Sequence, residues 1–209
     1  MSLLSRWRDL IATPHTEATE RLWAEVRAGH PPFATAVLAD ARVTASRRGE
    51  RSEYRSRLDA AVQVVRLAVV ADAFLALCCY RAKAACQARR VPFIPRLLHR
   101  GAIVLGQVSI GDPVVVEAGV YLPHGQVVVD GVTRIAKGVE LGPFVTIGLV
   151  KGEMSGPKIG RHAVIGTNAS VIGPVTVGAH ATVGAGAVVA ADVPNWATVV
   201  GVPARVVDE

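Results

Sequence analysis

From Ile159 to Val189 an aliphatic residue stands at every sixth position: Ile159, Ile165, Val171, Val177, Val183 and Val189. Four residues after each of the first five comes a small or β-branched side chain, at Ala163, Ala169, Val175, Ala181 and Ala187, and glycine follows the aliphatic residue at 160, 166, 178 and 184. The same frame runs upstream through Val104, Ile110, Val116, Leu122 and Val128, slips by one residue, and resumes at Ile135, Leu141 and Ile147. The gap from Ile147 to Ile159 holds an inserted loop, about 148–158, with eight hexads before it and six after. A period of six fits neither a helix nor an alternating hairpin strand. It predicts short strands wound into a parallel β-helix, with the aliphatic side chains stacked inward and glycine at tight corners. Three hexads make one triangular coil, so four to five coils rise roughly 20 Å at about 4.8 Å each.

The first half has a different period. Thr16-Glu17 opens a helix to about Ala28, ended by Gly29-His30-Pro31-Pro32. A second helix is expected over Phe33–Arg47 and a long third one, with room for a break, over about Glu53–Arg90, stopped by Val91-Pro92. The fold class is therefore α+β: a helical domain over 1–97, then the β-helix over 98–209.

Composition narrows the reading. Hydrophobic residues are 51% of the 209 and charged residues 19%, which excludes a disordered chain. Aromatics are only 5%, so the core is built from Val, Ala, Ile and Leu. Residues 1–100 hold 17 Lys+Arg against 9 Asp+Glu, while 101–209 hold 6 against 8. The basic half is interleaved with acids and alanines at helical spacing, so it reads as a solvated helical face with no nucleic-acid partner. The apolar run Ala60–Cys79 carries Gln63, Arg66 and Asp72, which favours a buried helix over a membrane span. Cys78, Cys79 and Cys86 read as buried reduced thiols. No apolar segment after Met1 reads as a signal peptide, so a cytoplasmic protein is expected.

The hexads, the late loop and the ending Gly201-Val202-Pro203-Ala204-Arg205 resemble the hexapeptide-repeat acyltransferases, and among them the serine acetyltransferase family. The stretches that carry the resemblance are Leu122-Pro123-His124-Gly125, the loop ending Gly156-Pro157-Lys158-Ile159, and the coils beyond it. The resemblance implies a left-handed β-helix, against the usual right-handed crossover. It also implies a homotrimer or dimer of trimers, with acetyl-CoA as co-substrate between two prisms. Pro123 stands where the family pattern has Asp, and Ser155 and Gly156 where it has Arg and His; those residues are associated with gripping the acceptor. The chain ends at Glu209, without the family's tail that docks into the sulfhydrylase, so no such complex is expected.

His124 is the matching base histidine; an imidazole titrates where deprotonation of a hydroxyl at neutral pH requires it. Asp130 and Glu140 are the carboxylates on nearby coils able to orient it, Asp130 being the catalytic choice. Gly148, at the loop entrance, offers an N–H to the oxyanion; by similarity, Gly166, Thr167, Ala185, Lys158 and Arg205 are expected to contact acetyl-CoA; Glu153 and Met154 of the loop are expected to line the acceptor pocket. His162 and His180, each at the fourth hexad position, read as surface residues; His15, His30 and His99 fall outside the prism pattern. No two histidines share metal-ligand spacing with a Cys or a Glu, so no metal is expected. Three readings stay open: acetyl transfer to the hydroxyl of serine or a serine-like molecule, transfer to an amine or sugar, and a non-catalytic trimeric scaffold.

Overall fold

The computed structural model describes residues 16–207, which leaves His15 outside. Thr16 opens α1 (Glu17–Gly29), its hydroxyl accepting the Thr19 N–H at 3.3 Å. Pro31-Pro32 separates it from α2 (Phe33–Arg47). Ser56 caps α3 (Arg57–Val70) by accepting the Asp59 N–H at 3.1 Å. The expected long third helix breaks at Ala71-Asp72-Ala73, and α4 (Phe74–Ala88) leaves at 118° to α3. Together α3 and α4 have the length and apolarity of a span, but no single helix among the described residues does.

The expectations for this half need correction at several points. A further helix, α5, covers Ile94–Gly106 past the Val91-Pro92 stop, with Pro95 in its first turn. It takes in Val104, which is 78% exposed and not the first rung, so the β-helix starts at Val108, ten residues beyond the expected boundary. The apolar run is only partly buried: Ala60 and Leu67 of α3 face inward, while Leu58, Val62, Val65 and Val69 form an exposed row. The cationic half is only partly solvated, since α4 buries Arg81 and Lys83. Cys78, Cys79 and Cys86 are unpaired but only half-buried, and burial raises the Cys78 thiol to about 12.

The second half is a left-handed parallel β-helix with three faces. The first face stacks β1 (Val108–Ile110), β3 (Val127–Val129), β6 (Thr146–Gly148), β9 (Ser170–Ile172) and β12 (Val188–Val189). The second stacks β2 (Val115–Val116), β4 (Val132–Ile135), β7 (Ser155–Ile159) and β10 (Thr176–Val177). The third stacks β5 (Glu140–Leu141), β8 (Val164–Ile165), β11 (Thr182–Val183) and β13 (Thr198–Val200), closed by antiparallel β14 (Arg205–Val207). The inward rungs are the expected aliphatic residues, with Ile135, Leu141, Ile147, Ile165, Val171, Val177, Val183 and Val189 at 0–1% exposure.

The register slip lies earlier than expected. Val128 points out, at 45% exposure, and Val127 and Val129 point in. The extra residue therefore falls between Leu122 and Val129, in the corner that carries His124. The inserted loop is also tighter: β7 already begins at Ser155, and Gly156 and Pro157 are buried.

Four side chains lock the helices to the prism. Arg81 makes two bonds to Asp40 of α2, at 2.8 and 3.1 Å, and donates to the carbonyls of Val116 and Glu117. Asp40 in turn accepts the N–H groups of Gly119 and Val120. Lys83 donates to the Ile110 carbonyl at 2.6 Å and to Asp112 at 2.9 Å. The Tyr80 hydroxyl donates to the Val114 carbonyl.

Candidate active site

The corner joining the third face to the first repeats on every coil. Two residues beyond the inward rung of the third face stand His124 on the first coil, Pro143 on the second, Thr167 on the third and Ala185 on the fourth. At about 4.8 Å per coil, Thr167 lies roughly 10 Å and Ala185 roughly 14 Å above His124. Glycines 142, 166 and 184 precede the upper three. They keep the corner bare: a Cβ on Gly166 would sit 2.8 Å from the Ala185 nitrogen, and one on Gly142 would sit 2.8 Å from the Thr167 nitrogen. The result is an edge of backbone rising from a histidine.

His124 is exposed, and its Nδ1 lies 2.8 Å from Oδ2 of Asp72. That carboxylate comes from the break between α3 and α4, 52 residues upstream, and replaces the expected partner. Asp130 sits at the end of β3, where its Oδ1 accepts the Gly131 N–H at 2.7 Å. It lines a separate cavity of about 480 Å³ with Ser109, Asp112 and, from α5, Arg96, His99 and Arg100. Burial, with Lys83 nearby, holds His99 below its usual range. The other carboxylate considered, Glu140, pairs with Arg47 at 3.3 Å.

Of the expected binding residues, Gly166, Thr167 and Ala185 share the His124 corner. Gly148, Glu153, Met154 and Lys158 do not: the loop over 149–154 leaves the corner between the first and second faces. Gly148 closes β6 there, its carbonyl accepting the Gly173 N–H, and Met154 is 67% exposed. Lys158 points outward from β7, and Arg205 is exposed on β14. Among the described residues no group of three His, Cys, Asp or Glu side chains with metal-binding geometry comes together.

The position expected to differ from the family pattern is closed to side chains. A Cβ on Gly156 would lie 2.2 Å from Oγ1 of buried Thr133, whose hydroxyl is already bonded to the Asp130 carbonyl. Sequence reasoning missed Asp72, whose only signal was a carboxylate between two alanines inside an apolar run. It also missed Gly106 and Gly125, which bring the helices against the His124 corner.

Comparison with known proteins agrees with this architecture. Residues 156–191 match the family model described as bacterial transferase hexapeptide (six repeats), and residues 101–123 match the hexapeptide repeat of succinyl-transferase. The serine acetyltransferase of Synechococcus elongatus is 36% identical over 144 residues, covering 64% of this chain and 56% of that protein. The serine acetyltransferase of Helicobacter pylori strain J99 is 35% identical over 136 residues, covering 63% of this chain and 79% of that protein. The match thus spans little more than half of the first relative and most of the second. The structure of soybean serine acetyltransferase complexed with serine superposes with a TM-score of 0.71 at 28% identity, covering 90% of this chain and 74% of the other.

Proposed function

The chain belongs to the serine acetyltransferase family of hexapeptide-repeat acyltransferases, and from that premise we propose that it moves an acetyl group from acetyl-CoA to a hydroxyl of serine or a serine-like small molecule. The observation that carries this reading is His124: exposed at the foot of a bare backbone edge, with one ring nitrogen engaged and the other free. Nε2 takes the acceptor hydroxyl proton as the oxygen attacks the thioester carbonyl. The tetrahedral intermediate collapses with cleavage of the C–S bond, and His124 returns the proton to the departing thiolate. Gly166, Thr167 and Ala185 offer backbone along which acetyl-CoA lies, its thioester end towards His124.

The inserted loop and Gly148 occupy a different corner, so a second copy of the chain brings them to His124. The site then lies between subunits of a homotrimer, singly or as a dimer of trimers, with Glu153 and Met154 over the acceptor and Gly148, Lys158 and Arg205 towards the co-substrate. One observation favours a changed acceptor. Pro123 replaces a carboxylate of the family pattern, and no side chain fits at 156. An amine acceptor, which must also lose a proton, is the second reading.

Thiol release from acetyl-CoA across serine, homoserine, amino sugars and polyamines tests this. Release with serine or homoserine is expected; release only with amines moves the proposal to N-acylation, and silence with every acceptor overturns it.

A further inference from the structure

We propose that Asp72 is the positioning residue for His124, so that the helical domain completes the catalytic site built on the prism; this rests on the reading of His124 as the general base.

An ionised carboxylate only accepts. The 2.8 Å contact between Asp72 Oδ2 and His124 Nδ1 therefore places the proton of the neutral imidazole on Nδ1. Nε2 is then the lone-pair nitrogen, the form a base needs. The same bond limits rotation of a ring that is otherwise exposed.

The contact is held by backbone rather than by chance meeting of two surface side chains. Asp72 lies in the break that ends α3, whose C-cap Ala71 is extended, and it is not used as a cap for α4. The last residue of α5, Gly106, fits against this break: a Cβ there would lie 2.6 Å from the Ala76 Cβ and 3.4 Å from the Asp72 carbonyl oxygen. Gly125, next to His124, fits against Gly106 in turn: its Cβ would lie 2.0 Å from the Gly106 carbonyl oxygen. Three backbones thus touch through two glycines, and that sandwich sets the Asp72–His124 separation. The extra residue of the register slip falls in this same corner. Asp130, the prism carboxylate expected in this role, is engaged elsewhere.

The test uses the full chain with ¹⁵N-labelled histidine. The His124 signals are assigned by their loss in His124→Gln, and two-bond proton–nitrogen correlations read the tautomer. The Nδ1–H form is expected in the wild type. Asp72→Ala removes the acceptor at Nδ1 and is expected to release the ring to the Nε2–H form. It is also expected to lower kcat by about 10²-fold, the lower end of what a general base supplies, with KM within about two-fold. Asp72→Glu is expected to keep the tautomer and recover part of kcat. Asp72 is exposed, so none of these variants removes buried structure. An Nε2–H wild type, or Asp72→Ala with tautomer and kcat unchanged, overturns the inference. If His124→Ala abolishes turnover while Asp72→Ala does nothing, this inference fails alone. If His124→Ala leaves turnover intact, the base reading fails, and the inference with it, whatever the tautomer.

Discussion

The prism interior and the seam between α4 and the first coils are both buried, yet opposite chemistries hold them. Inside the prism, Leu141, Ile147, Ile165 and Val183 stack on like residues one coil away, and each coil is a template for the next. At the seam, Tyr80, Arg81 and Lys83 reach carbonyls and carboxylates that occur once. Aliphatic stacking is non-directional and tolerates a slipped register or an extra coil. The bidentate Arg81–Asp40 pair, with both partners also bonded to prism backbone, admits one docking of helices on prism. His124 and Asp72 belong to the side that needs a unique geometry.

Breaking the pair at the seam is expected to have the largest effect on stability. Asp40→Ala strands a guanidinium that is 2% exposed and should cost about 3–5 kcal/mol in urea unfolding. Adding Arg81→Met should recover part of that and not all, because the Gly119 and Val120 N–H groups still lack their acceptor. A loss from Asp40→Ala below about 1 kcal/mol would dissolve the contrast.

In the prism, Ile165→Ala should cost about 2–5 kcal/mol and Ile165→Val only about 1 kcal/mol, since removing methyl groups from a stack leaves a cavity but no orphaned charge. Equal losses from both variants would mean that the coils collapse around the gap.

The smallest effect separates the regions by pH. His30, edge-on to Tyr80 with its Nδ1 buried and unpartnered, is pushed down to about 4 by burial and by Arg81 and Lys83. The unfolded chain takes up a proton at this residue near pH 6.5, and the folded one only near 4. Stability from His30 is thus present above pH 6.5 and lost as pH falls towards 4. His30→Leu should flatten the fall in urea midpoint between pH 7 and pH 4.5; an unchanged slope would show that the seam does not titrate there.

The same contrast explains what could be read from the chain. The six-residue period announced the prism, its rungs and its late loop because every coil repeats the same packing problem. It also misled, since Val104 and Val128 match the period but lie on α5 and on an outward strand position. The motif singled out His124, which the structure places exposed on a prism corner. Asp72 was not legible: its partner is 52 residues away, and nothing local distinguishes a carboxylate at a helix break from a solvated one. Arg81 and Lys83 looked like surface charges because helical spacing does not say which face meets a partner.

The most direct test of the central claim compares thiol release from acetyl-CoA, with L-serine as acceptor, by the wild type and by His124→Ala at matched fold content. A fall of about 10²–10⁴-fold is expected for loss of a general base; an undiminished rate would contradict the assignment of the reaction to this corner of the prism.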